Sequence, residues 1–210
     1  MADWVTISAL ATASGTLVLA VATFASVRSA NRAARVAERS LLAGLRPLLV
    51  PSRLQDPDQK VGFADAHWVH VPGGGGTAEV TDEAIYLVMS LRNVGSGIAV
   101  LHGWARRTEP EIMATGHADL AAFHRQTRDI YIAAGDIGFW QGAIRDPADG
   151  EFVAASQDIT ARKRMAVELM YGDYEGGQRT ISRFMLQARD DSNWLISVGR
   201  HWNIDRADPR

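Results

Sequence analysis

The chain has 210 residues, 22 Lys and Arg against 24 Asp and Glu, and no cysteine. That length accommodates one domain with an appendage, and the near balance of charge argues against a nucleic-acid partner, which draws on excess positive charge. The lack of cysteine removes disulfides, thiolate catalysis and thiolate metal sites together.

No charged residue falls between Trp4 and Val27. At a rise of about 1.5 Å per residue this run makes a helix of roughly 36 Å, enough for a hydrocarbon core of about 30 Å. Residues 1–27 are therefore expected to be a transmembrane anchor, with the lipid bilayer as partner and Trp4 at its interface. The alternatives are a buried helix of a soluble domain and a cleaved signal peptide. Against the latter stand the absence of a basic n-region, the presence of Asp3, and an apolar run longer than the usual ~7–15 residues. Arg28, Arg32, Arg35, Arg39 and Arg46 all follow the apolar run, so the positive-inside bias places the C-terminal part in the cytoplasm. The expected localisation is the cell membrane, single-pass. Arg28 and Arg32 are membrane-proximal, where each gains about 1 kcal/mol from anionic headgroups.

Residues 28–46 read as an Arg-rich juxtamembrane helix. Val27, Ala30, Ala34, Ala37 and Leu41 recur at alternating spacings of three and four, with the arginines on the opposite side. The helix is expected to run to about Leu45 and stop at Pro47, which lacks an amide donor and biases its predecessor away from the α region. The small-residue seam, with Ala11 and Gly15 inside the apolar run, permits two helices to approach closely and pair the chain as a homodimer. The same stripe would equally suit packing against the chain's own β domain.

From residue 47 to 210 the apolar period changes from helical to alternating, which predicts a β-sandwich. Ile85, Leu87, Met89 and Leu91 face a core, with Tyr86, Val88, Ser90 and Arg92 on a half-exposed side. After a turn at Asn93, Gly95 and Gly97, the residues Ile98, Val100 and Trp104 resume the stripe, with Ala99 and Leu101 behind them. Met165, Val167, Leu169 and Tyr171 form a third stripe and turn through 172–177 into a strand at 180–187. A last strand at 194–202 places Trp194, Ile196, Val198 and Trp202 on one face. Weaker strands are predicted at 48–54, 67–71, 77–80, 130–133 and 138–144, and a short helix at 152–162 on the spacing of Phe152, Ala155 and Ile159.

The run Leu91-Arg92-Asn93-Val94-Gly95-Ser96-Gly97-Ile98-Ala99 resembles the strand and Asn-x-Gly-x-Gly-x-Ala turn of immunoglobulin-like domains in bacterial surface and membrane proteins. The whole plan, from single span through Arg-Pro stop to a late Tyr171-Gly172-Asp173-Tyr174 hairpin, is similar to single-span membrane proteins of actinobacteria. The resemblance implies an immunoglobulin-like sandwich and an anchor, and carries no catalytic residues with it.

No catalytic, cofactor-binding or metal-binding set emerges from the sequence. Gly73–Gly76 lacks the following Lys-Ser or Lys-Thr of a phosphate cradle and reads as a flexible loop. His67 and His70 point to opposite faces if their segment is a strand. His102 is expected to share a face with Val100 and Trp104, while His117, His124 and His201 have no carboxylate at ligand spacing. Asp173, Glu175, Asp190 and Asp191 sit on turns that a sandwich end could gather around calcium. Trp68, Trp104, Trp140, Trp194 and Trp202 favour a well-filled core, any exposed one being an interaction candidate. The expected function is a membrane-tethered interaction or assembly module with an unidentified protein partner and no evident catalysis. The alternative is a small-molecule-sensing or enzymatic β domain, its site formed by loops around His102, His117, His124 and the 173–175 turn.

Overall fold

A computed structural model of the chain describes residues 3–189 and 193–205. It divides into two compact units, Met1–Gly44 and Leu45–Arg210. The first is one continuous helix, α1 (Trp4–Gly44). Its hydroxyls do not interrupt the apolar run, because Ser8, Thr12, Ser14 and Thr16 donate to the carbonyls of Val5, Ser8, Leu10 and Thr12, three or four residues back. From Trp4 to Leu42 the helix is long and apolar enough to cross a membrane.

The second unit is mainly β. Its strands are β1 (Leu49–Pro51), β2 (Gln59–Gly62), β3 (Trp68–Val71), β4 (Gly75–Val80), β5 (Ile85–Asn93), β6 (Ala99–Arg107), β7 (His124–Arg125), β8 (Tyr131–Ile132), β9 (Ile137–Ile144), β10 (Met165–Gly172), β11 (Thr180–Ala188) and β12 (Asn193–Asn203). Short helices α2 (Glu109–Ile112) and α3 (Gly150–Thr160) and a 3₁₀ turn (Leu120–Ala122) complete it. Ten strands form one sheet in the order β1-β5-β4-β12-β11-β10-β6-β7, with β9 on β5 and β8 on β6. All its pairings are antiparallel, and β2 and β3 make a separate hairpin.

The sheet folds over on itself around the main core, so that Leu87, Met89, Leu91 and Trp140 from β5 and β9 join Leu101, Trp104, Leu169 and Phe184 from β6, β10 and β11. The two groups of strands are linked through β4 and β12, paired only at Thr77–Asn193, Gly76–Trp194 and Gly75–Leu195. Helix α3 contributes Phe152, Ala155 and Ile159, the spacing that predicts it, and Asp149 caps it by accepting from the Glu151 amide.

Four local features differ from expectation, each for a physical reason. The outer side of β5 is covered, because Tyr86 and Val88 form a second core with Val61, Phe63, Val69 and Val71 of the β2–β3 region. In β6 the register against β10 jumps from Gly103–Met170 to Leu101–Tyr171, leaving His102 as an extra residue. That bulge puts Ala99, Leu101 and Trp104 in the core and leaves Ile98 and Val100 outside, so His102 does not share a face with Trp104. A second jump, between Arg183–Arg200 and Phe184–Val198, makes Gly199 the extra residue and turns Trp202 away from the side of Trp194, Ile196 and Val198. Finally, Gly73–Gly76 is buried and ordered into a turn and the start of β4. A side chain at Gly73 would collide with the Asp56 and Arg53 carbonyls, and Gly74 has φ +67°, so backbone approach and conformation demand these glycines.

The Asn-x-Gly-x-Gly run acquires a clear role. Asn93 is fully buried; its Oδ1 accepts from the Leu48 and Gly95 amides, and its Nδ2 donates to the Gly97 and Ile132 carbonyls. The Arg46 carbonyl accepts from the Ser96 amide, and the Val94 amide donates to the Leu48 carbonyl. A Cβ at Gly95 or Gly97 would strike the backbone of residues 45–48. The segment around Pro47 is thus seated in a cradle that only glycine can form. Asn93→Ala should strip partners from four backbone groups, at about 1–3 kcal/mol for each left buried and unpaired. We expect a loss of at least about 3 kcal/mol in urea unfolding followed by tryptophan fluorescence.

Candidate functional site

A groove of about 570 Å³ in the β unit is lined by residues 62–64 at the end of β2, by β7 and residues 126–128, by residues 141–143 of β9, and by Trp104 and Arg145. Its inner wall is the Trp104 indole, backed from inside the core by Trp140. Trp140 is fully buried and meets Trp104 edge to face at 5.4 Å, while His124 stacks on Trp104 at 4.5 Å. Gly142 makes this possible, since a Cβ there would lie 2.6 Å from the Trp140 ring and 3.0 Å from that of Trp104. The His124 ring is held in place by Glu151 at the start of α3, Nε2 to Oε2 at 2.9 Å.

The groove is basic. Arg125 and Arg128 have no ion-pair partner among the described residues, and Arg128 makes one long bond, 3.3 Å, to the Gly62 carbonyl. Arg145 is paired with Asp65 at 3.2 Å, and Asp65 also accepts from the Tyr86 hydroxyl at 2.8 Å. Burial pushes the Asp65 carboxyl up, but the bonds from Tyr86, the His67 amide and Arg145 outweigh it and hold it below its ordinary range. Gln126 donates through Nε2 to the Gln141 carbonyl at 3.1 Å. The Oε1 atoms of Gln126 and Gln141 are both buried with no hydrogen-bond partner. A buried acceptor without a donor is costly, so two glutamine side chains beside this groove would gain from turning toward a donor, and the groove itself offers two unneutralised guanidinium groups and an aromatic wall to whatever enters it.

The sequence-predicted residues are dispersed. Ala11, Gly15, Val27, Arg28, Ala30, Arg32, Ala34, Ala37 and Leu41 all lie exposed on α1. His67 pairs with Glu79 at 2.8 Å and stacks on Tyr86, whereas His70 is exposed on β3. His117 bonds the Ala118 carbonyl and meets the Trp202 ring edge-on. His201 bonds Ser182, which also bonds the fully buried Tyr171 hydroxyl. Burial pushes that hydroxyl's pKa up. The Asp173 carboxylate is engaged by the Glu175 and Gly177 amides and by Gln178, and Asp190 and Asp191 lie outside the described residues. Among the described residues no group of three His, Cys, Asp or Glu is placed to hold a metal ion. Of the five tryptophans of the β unit only Trp68 is exposed, with the Lys60 ammonium 4.9 Å from its ring.

Of His102, His117, His124 and the 173–175 turn, only His124 lines the groove. Sequence reasoning missed its carboxylate, Glu151, which is 27 positions away and joined to it only by the fold. Gly142 between Gln141 and Ala143 was the available signal, a strand glycine that marks close approach. Comparison with protein-family models, curated proteins and solved structures finds no match.

His102 supplies a test of the β6 bulge. Its Nε2 is buried without a partner, and burial, reinforced by Arg179, holds its pKa below the ordinary 6.5, against an opposing pull from Asp173. Stability from neutral His102 is therefore complete above about 6.5 and declines as pH falls from there through the folded-state value. Asp56, held low by the Arg53 amide and Arg92, and Asp205, held low by Arg179, withdraw their support only below about 3.8. Urea midpoints measured between about pH 7 and pH 5.5 should fall on acidification, and His102→Gln should flatten that slope without altering the loss near pH 3.

Proposed function

We propose that this is a single-pass membrane protein whose N-terminal helix anchors an immunoglobulin-like β module at the cytoplasmic face, where the module binds or assembles other proteins without catalysis. The observation that carries the reading is α1. Val5, Leu10, Leu17, Val18, Leu19, Val21 and Phe24 are each at least 62% exposed along a helix that has no charged side chain between Trp4 and Val27. Leaving seven such side chains in water forgoes on the order of 10 kcal/mol relative to burying them, and a bilayer supplies that burial.

The arginines beginning at Arg28 support the cytoplasmic orientation. The actinobacterial resemblance supports the same plan. The seam of Val27, Ala30, Ala34, Ala37 and Leu41, and separately the small pair Ala11 and Gly15 inside the apolar run, support pairing of two helices, since small side chains let backbones come close. The alternative of a ligand-sensing domain rests on the groove at His124 rather than on the wider set of histidines.

Full-length chain expressed in bacteria should stay with the membrane pellet after alkaline extraction and leave it only with detergent. Reporter fusions should place the C-terminus in the cytoplasm; recovery in the carbonate supernatant would end the anchor reading. The absence of native cysteine makes pairing easy to test. Ala34→Cys should crosslink in membranes at least several-fold more than Arg35→Cys on the opposite side, and equal yields would remove the dimer.

A further inference from the structure

We propose that the groove is an open seam of the sheet that accepts an extended acidic peptide segment, which adds as a strand to the edge of β9. This deepens the interaction-module reading and rests on it. Strand β9 pairs with β5 and with no other strand of the sheet among the described residues, while β7 ends the path at the other side. The two edges face each other across the groove, which is lined by both.

The edge borders the groove at Gln141, Gly142 and Ala143. In an antiparallel ladder, every second residue turns both its N–H and its C=O to the same side. The Gln141 carbonyl points into the groove, where it accepts from Gln126 Nε2 at 3.1 Å, so Phe139 and Ala143 turn their backbone groups the same way. From Gln141 to Ala143, the part of β9 that lines the groove, is about 7 Å of strand at ~3.3 Å per residue, enough for the first pairing of a short extended segment that continues past Phe139. Gln126 at present takes one of the bonds that an added strand would make.

The chemistry of the walls selects the occupant. Extended peptide backbone brings N–H donors, which the buried and unpartnered Oε1 atoms of Gln126 and Gln141 lack. Arg125 and Arg128 have no carboxylate partner among the described residues, and His124 and Arg145 have theirs already, Glu151 and Asp65. Two guanidinium groups on one lip therefore match acidic side chains on the incoming strand, and the exposed edge of the Trp104–His124 stack suits an apolar residue between them.

The test is selection of a random octapeptide display library on the full-length protein in non-ionic detergent. Enriched peptides should carry at least two acidic residues. By fluorescence anisotropy they should bind the double variant Arg125→Glu, Arg128→Glu at least tenfold more weakly. Both residues are exposed, and an unchanged urea midpoint would confirm folding of the variant. Amide exchange at Phe139, Gln141 and Ala143 should slow on peptide binding. Enriched peptides that bind the double variant equally, or that protect amides elsewhere, would overturn the seam and leave an interaction module with another surface. No enrichment, or binding of citrate or inorganic phosphate at the groove without any peptide, would overturn strand addition altogether. None of these results bears on alkaline extraction, so the anchor and the seam stand or fall separately.

Discussion

One buried amide organises the β unit. Asn93 uses all four of its hydrogen-bonding positions on backbone groups of three separate segments: the stretch entering β1, the turn that follows β5, and β8. A buried polar side chain costs free energy unless it is satisfied, and here satisfaction specifies geometry, since no other side chain of that size offers two acceptor sites and two donors. The backbone of residues 45–48 leading into β1 passes over this residue, and Gly95 and Gly97 are small because that backbone occupies the space where their side chains would be.

On the far side of the core, charge performs the comparable task. Glu168 is fully buried on β10 and accepts from Arg183 through Nε and Nη2 at 2.8 and 2.6 Å, and from the Ala118 amide at 2.7 Å. Arg183 in turn donates to the carbonyls of Ile112, Ala114 and Gly116, and stacks over Trp202 at 5.0 Å. A buried ion pair recovers its desolvation cost only when its remaining hydrogen-bonding positions are filled. This pair fills them with backbone, and so fixes an otherwise irregular segment, residues 112–118, against the sheet. The bulge at Gly199 is part of the same arrangement, because it turns Trp202 onto the Arg183 side.

The long helix was legible from an uninterrupted apolar run, and the alternation of β5 and β10 and the spacing of α3 because each follows one period over many residues and buries the face that the period marks. What escaped was non-local. The outer cover of β5 comes from a hairpin whose first strand reads Gln-Lys-Val-Gly, with one apolar residue facing inward. The two bulges reverse the facing of everything beyond them, and a strict alternation carries no mark of an extra residue at His102 or Gly199. The groove was harder still. Its unpaired charges are Arg125 and Arg128, ordinary in a polar segment, and its wall is an indole, Trp104, that any reading assigns to the core. The Asn-x-Gly-x-Gly turn was visible as a pattern, whereas its function as the seat for residues 45–48 depends on a contact that sequence distance conceals.

The openness of the sheet follows from the same elements. The pairing that links its two halves covers three residues on each of β4 and β12, while at the opposite side β8 contributes two residues to β6 and β9 runs past it. Closing the sheet would require a strand between β9 and β7, and residues 126–130, which run from β7 to β8, stay on the β6 side, where the Gln126 amide donates to the His102 carbonyl and the Ile130 carbonyl accepts from the Leu101 amide. Exposed strand edges invite association and are commonly blunted by bulges, charge or coverage. Here charge stands at the edge as guanidinium groups without counter-ions, and coverage is a single glutamine side chain. The guanidinium groups repel a second copy of the same basic lip and attract an acidic strand, and the neutral glutamine can turn aside, which makes the seam selective as well as open.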